Sequence, residues 1–150
     1  MTAVDPLKVL VMFRSVEGSP YRLGAKWPLG APPSRVKGTP VDCSGFVRWL
    51  LYECGLDLPD GSANQREYVE NVLKWRKIPY ADLHWTVADG GRLFVAFKSP
   101  TKSGHGHVWL VNAGHSMESC SSGGVCRRPW KRLERYASAC FEVPTPARES

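Results

Sequence analysis

Apolar residues in the first half of the chain recur at three- and four-residue spacing. Leu7, Leu10, Val11 and Val16 follow Asp5-Pro6, which places a proline at the first helical position, and they predict a helix over residues 6–16. A Gly- and Pro-rich stretch from Gly18 to Pro40, carrying Tyr21 and Trp27, interrupts the pattern. It is too long for a simple connection and reads as a functional surface loop. The helical period returns with Phe46, Val47, Leu50, Leu51 and Cys54, closed by Gly55, so a second helix begins at Cys43. Ser62 with Gln65 has the form of a capping box and opens a third helix over residues 63–76. The period then changes. Residues 92–97, 107–112, 117–120 and 139–143 read as short strands separated by Gly and Ser clusters. Helices first and an antiparallel sheet second make the fold class α+β, with residues 1–150 as one domain.

Composition narrows what this fold serves. The 43% apolar fraction is that of an ordinary globular protein, and no run approaches the roughly 18 apolar residues of a membrane span. The start MTAVDPLKVLVMF lacks the basic and apolar regions and the small-residue cleavage site of a secretory signal, so any action outside the cytoplasm requires another route of release. The net charge of +6 fits an acidic polymer, either nucleic acid or an anionic bacterial envelope, or simply a solvated basic surface. The basic residues are scattered except for Arg127, Arg128, Lys131, Arg132 and Arg135.

The candidate chemistry sits in VDCSGFVRWLL, residues 41–51. Cys43 falls at a helix N-terminus, where Asp42 can cap the free N–H groups and the positive end of the helix dipole favours a thiolate. The alternative is a small buried apolar residue, as most free cysteines are. A thiolate nucleophile needs a base within hydrogen-bond reach and a third group to orient it. Of the four histidines, His84 reads as surface and His115 as a turn residue. His105 and His107 flank Gly106 at the start of HVWLVN, and strand alternation turns one of them toward the nucleophile's helix if the sheet packs there. His107, first in the strand proper, is the expected base. Glu118 on the next strand can pair across from it and accept its second ring proton. Four further cysteines, 54, 120, 126 and 140, allow two disulfides, and Cys120 with Cys126 would close the loop SSGGV. Paired cysteines would place the protein in an oxidising compartment. A zinc site drawn from His105, His107, Cys120 and Cys126 is the competing reading, although these spacings lack the Cys-x-x-Cys pairs of structural zinc.

Pro20-Tyr21 with Gly24, then Asp42-Cys43-Ser44-Gly45-Phe46-Val47, Leu58-Pro59 with Ser62 and Gln65, Gly106-His107-Val108, and Glu118-Ser119 with Gly123-Gly124 together resemble the NlpC-type cell-wall cysteine peptidases. The resemblance spans about residues 20–130. It implies a papain-like fold, helices packed on an antiparallel sheet, and cleavage of amide bonds in peptidoglycan stem peptides, often between D-glutamate and a diamino acid. It also implies Cys43 as nucleophile, His107 as base and Glu118 as third member, with Tyr21 beside the nucleophile. Tyr21, Ser44, Ser62 and Gln65 are the expected substrate contacts. No metal or other cofactor is called for, and a non-catalytic wall-binding module would have no use for Cys43 and His107. Gly91-Arg92 stands where the family has Gly-Asp, and RLFVAF with KSPTKSGHG looks more like the small amidase toxins that bacteria inject into rivals. An immunity protein would be a partner in that setting, and the cell wall the place of action in either.

Overall fold

The computed structural model describes residues 2–146. Helix α1, Pro6–Val16, starts as expected: the Asp5 side chain caps it by accepting from the Leu7 N–H at 3.0 Å. Its buried face is Pro6, Val9, Phe13 and Val16, while Leu7 and Val11 are exposed. The sequence offers two apolar stripes here. Packing selects the one that carries Phe13, whose ring meets Phe46 edge-on at 6.3 Å.

The Gly/Pro loop contains one helical turn, α2, Pro33–Val36, and is anchored by Trp27. That indole sits between Phe46 and Trp49, with ring centroids 6.2 and 5.1 Å away. Helix α3, Cys43–Glu53, is buried along most of its length and lies over the sheet. Helix α4 runs Ser62–Asn71, ending five residues earlier than expected. The capping box is absent: the N-cap is Gly61, Ser62 is already helical, and no side chain caps the end. Gln65 is drawn inward instead, donating from Nε2 to the carbonyls of Ser44 and Pro59 at 3.0 and 3.1 Å.

Five antiparallel strands follow: β1 Leu93–Lys98, β2 His107–Asn112, β3 His115–Cys120, β4 Gly124–Pro129 and β5 Ala139–Val143. Their order in the sheet is β4-β3-β2-β1-β5. His115 is the first residue of β3, paired with Asn112 and Pro129, because the turn is made by Ala113 and Gly114, both at positive φ. Strand β4 and two 3-10 segments, Tyr80–Thr86 and Trp130–Tyr136, are additions to the expected elements.

The sheet is covered on both faces. Leu93, Val95, Phe97, Val108 and Leu110 join the helices in one core. Phe94, Ala96, Trp109 and Val111 point the other way, onto Tyr80, Leu83, Trp130 and Leu133 of the 3-10 segments. This explains why RLFVAF and HVWLVN read as continuous apolar runs rather than as alternating strands. No described helix is long and apolar enough to cross a membrane.

Candidate active site

The N-terminus of α3 is held from outside as well as capped from within. Asp42 Oδ1 accepts from the Gly45 N–H at 2.7 Å, the N-cap bond expected of DCSG. Its Oδ2 accepts from the Gly24 N–H at 3.2 Å and from Lys26 Nζ at 2.6 Å. Lys26 also donates to Ser44 Oγ at 2.9 Å and pairs with Asp60 at 3.1 Å, so the long loop is tied to both neighbours of Cys43. Gly45 is dictated by this crowding. A Cβ there would lie 2.9 Å from Asp42 Oδ1, 3.0 Å from Lys26 Cδ and 3.1 Å from the Ala25 carbonyl. Cys43 is left half-buried in the first turn, where backbone N–H groups have no intrahelical acceptor.

His107 arrives from the other core. It stacks on Trp109, centroids 5.3 Å apart with planes 24° from parallel, and so shares the sheet face opposite Val108 and Leu110. Strand alternation therefore does not aim it at α3 through the helix-side core. As the first residue of β2 it meets Cys43 at the end of the sheet. His107 Nε2 and Glu118 Oε1 are 3.1 Å apart, which leaves Nδ1 to serve the thiol. The register pairing Leu110 with Met117 and Val111 with Ser116 sets Glu118 diagonal to His107 rather than directly across. Burial alone would lower the His107 pKa, but the Cys43 and Glu118 interactions outweigh it and raise the value to about 9. The ring is thus an imidazolium at neutral pH.

Glu118 is fully buried, which by itself would favour its neutral form. Bonds to His107 and Ser116, with Arg132 nearby, reverse that and hold its pKa below the usual carboxylate range. Ser116 Oγ donates to Oε2, and Arg132 Nη2 lies 3.5 Å from the same oxygen. Trp109 is fixed in turn, its Nε1 donating to the Tyr80 hydroxyl at 3.1 Å and that hydroxyl donating to the Trp130 carbonyl at 2.7 Å. Lys26, Trp109 and Ser116 were not singled out from sequence, and Arg132 only as one of a basic cluster. Two-residue alternation could have found two of them, since Trp109 follows His107, and Ser116 precedes Glu118, on the same face.

His107 and Glu118 line an open cleft of about 480 Å³ with Tyr21, Lys98, Cys120 and Arg132. Tyr21 is therefore on the cleft wall, and its hydroxyl pKa is raised by burial, then by Cys43 and Asp42. Ser44 and Gln65 are placed otherwise. Both are buried, at 4% and 0% exposure, and they brace α3 instead of facing substrate. Ser62 lines a separate groove of about 250 Å³ with Arg66, Glu70 and Lys98. His105 also lines the cleft; it is exposed, and its carbonyl accepts from Lys98. His115 hydrogen-bonds the Ala113 carbonyl at the far end of β3, and His84 is exposed.

The zinc reading fails on assembly: among the described residues no three His, Cys, Asp or Glu side chains form a metal-holding group. Cys120 and Cys126 lie side by side as thiols, Sγ atoms 3.8 Å apart, while Cys54 and Cys140 are buried singly. The basic cluster also divides. Arg132 faces the cleft, whereas Arg127 is half-buried near Arg14 and Glu17.

A thiol at a helix N-terminus, a histidine and a buried carboxylate are the residue types from which a thiol hydrolase is built. Known proteins of similar fold carry the same family name. The P60 domain of an antigen from M. avium subspecies paratuberculosis superposes with a TM-score of 0.60 at 24% identity, covering 93% of each chain. A lipoprotein-like member of the NLP/P60 family from Staphylococcus aureus superposes at 0.61 with 17% identity, and NlpC2 from Trichomonas vaginalis at 0.63 with 14%. The chain covers 43% and 48% of those two longer proteins, with 95% of its own length matched in each. No curated protein sequence matches it significantly. The sequence pattern of the NlpC/P60 family matches residues 18–129, most of the chain and every member of the site from Tyr21 to Glu118. The chain therefore belongs to the NlpC/P60 family, whose members are generally cysteine peptidases or amidases that hydrolyse cell-wall peptidoglycan.

Proposed function

We propose that this chain is a cysteine peptidase that cleaves an amide bond in the peptidoglycan stem peptide, between a D-glutamyl residue and a diamino acid, at the cell wall. The observation that carries the reading is the line from Cys43 through the His107 imidazolium to buried Glu118, with 3.1 Å between His107 and Glu118, at the edge of an open cleft.

In this reading the Cys43 thiolate attacks the stem-peptide carbonyl. The developing oxyanion is met by the Cys43 backbone N–H at the positive end of α3. His107 gives its proton to the departing amine, and Glu118 keeps the ring oriented and stabilises its charged form. Neutral His107 then takes a proton from water, and the resulting hydroxide equivalent releases the acyl group from sulfur.

The test is mass spectrometry of purified muropeptides after digestion. Wild-type protein should convert them to products split at the D-glutamyl bond, and Cys43→Ala should leave them intact while folding normally. An unchanged muropeptide profile with wild type, or turnover by Cys43→Ala, would defeat the proposal.

A further inference from the structure

A helix cap made by an aspartate puts a carboxylate directly beside the nucleophile. Asp42 precedes Cys43, its side chain is only 8% exposed, and a negative charge there disfavours the thiolate that the helix end favours. Lys26 meets this charge. Its Nζ lies 2.6 Å from Asp42 Oδ2, 2.9 Å from Ser44 Oγ and 3.1 Å from Asp60 Oδ1. An ammonium has three donors, so these acceptors take all of them and leave none for a substrate. Burial alone would lower the Lys26 pKa, but Asp42 and Asp60 outweigh it and hold the group charged above the usual lysine range. The stem is confined as well, since Lys26 Cδ lies 3.0 Å from where a Gly45 Cβ would be. The charge is felt at the cleft wall: after burial, Cys43 and Asp42 raise the Tyr21 hydroxyl, and Lys26 opposes them.

We propose that Lys26 is the positioning residue of the nucleophile: it ties the loop of residues 18–40 to both chain neighbours of Cys43 and cancels the Asp42 charge, so that Asp42 caps α3 without suppressing the thiolate. This role rests on Cys43 being the nucleophile, as proposed above. Titratable and charged groups reach the thiol from several elements. His107 comes from β2, with Glu118 and Arg132 behind it; Tyr21 and Lys26 come from the loop, with Cys120 of β3 near Tyr21; and Asp42 stands at the cap. Asp42 is the carboxylate adjoining Cys43 in the chain, and Lys26 is the cation bonded to it.

The test follows the rate at which iodoacetamide alkylates Cys43 as a function of pH. Mass spectrometry of the peptide that carries Cys43 separates it from the four other thiols. Lys26→Met removes the ammonium and keeps the stem. Its rate should fall off with acid about one pH unit higher than in wild type, a deficit of about tenfold on the acid limb that closes at higher pH, as one nearby charge would give. Lys26→Arg keeps the charge and should restore most of the rate. Asp42→Asn still caps the helix and should move the limb the opposite way, and it carries the test by itself if Lys26→Met does not fold. Lys26→Met combined with Asp42→Asn should return the limb close to wild type. An unmoved limb in Asp42→Asn, or a double variant as slow as Lys26→Met, would show that Lys26 only clamps the loop and would overturn the counter-charge. Alkylation needs no peptidoglycan, so a shifted limb in a protein that cleaves no muropeptide would defeat the proposed function and leave the role of Lys26 standing.

Discussion

The Glu118 carboxylate is where burial and charge pull hardest against each other. Its burial is tolerated because two hydrogen bonds and a nearby guanidinium keep it ionised, and an ionised Glu118 favours the charged form of His107. The rate should therefore fall as pH rises through about 9, where His107 loses its proton. Glu118→Gln keeps an acceptor but removes the negative charge, so the imidazolium is less favoured and this alkaline limb moves to lower pH. Glu118→Ala should lose more activity than Glu118→Gln because the ring is then unoriented as well. His115→Ala should keep most activity, since His115 lies at the other end of β3. A pH–rate profile of each variant on one muropeptide checks these outcomes, and an unmoved limb in Glu118→Gln would contradict the role given to the charge.

Elements with a long, regular repeat were legible in the sequence, and those defined by partners were not. Helices α1 and α3 and strands β1, β2 and β5 lie within a residue or so of expectation, because helical spacing specifies the former and short apolar runs bounded by loop residues the latter. The 3-10 segments are too short to carry a period, and GVCRRP mixes small and basic residues on an edge strand with one buried end. In the site, Cys43, His107 and Glu118 stand out by residue type. Arg132 and Lys26 depend on chain returns that local pattern does not encode. The missed β4 also decides the cysteines. Cys126 on β4 and Cys120 on β3 have sulfurs 3.8 Å apart, and a small rotation brings them to the roughly 2.05 Å of a disulfide. The hydrogen bond with Cys126 holds the Cys120 thiol below the usual thiol range, whereas burial raises Cys54 and Cys140 to about 11 and 12. In a Cys43→Ala background, oxidised glutathione should link Cys120 to Cys126 well before it modifies Cys54 or Cys140. Peptide mapping under non-reducing conditions reads this directly, and early modification of Cys54 would contradict the geometry.

At the scale of the molecule, the site is a junction of two cores separated by one sheet. The helix-side core, with Phe13, Trp27, Phe46 and Trp49, fixes where α3 lies and so where Cys43, its first residue, sits. The opposite core fixes His107 through the Trp109 stack. Tyr80 is the keystone of the second core: its hydroxyl accepts from Trp109 and donates to Trp130, and its ring meets both indoles at 5.8 and 5.6 Å. Tyr80→Phe keeps the ring but leaves a buried indole N–H and a buried carbonyl without partners. Such groups cost about 1–3 kcal/mol of stability. Trp109→Phe removes the donor, preserves an aromatic surface under His107, and opens space that the smaller ring does not fill. Denaturant unfolding should therefore place both variants below wild type, and Trp109→Phe should also lower kcat because the imidazolium loses part of its seat. Tyr80→Phe should lose stability with little loss of kcat at a temperature where it is fully folded, since it does not touch His107. A Tyr80→Phe protein as stable as wild type would show that the hydroxyl bridge carries no weight, and the coupling of the second core to the site would then rest on the Trp109 stack alone.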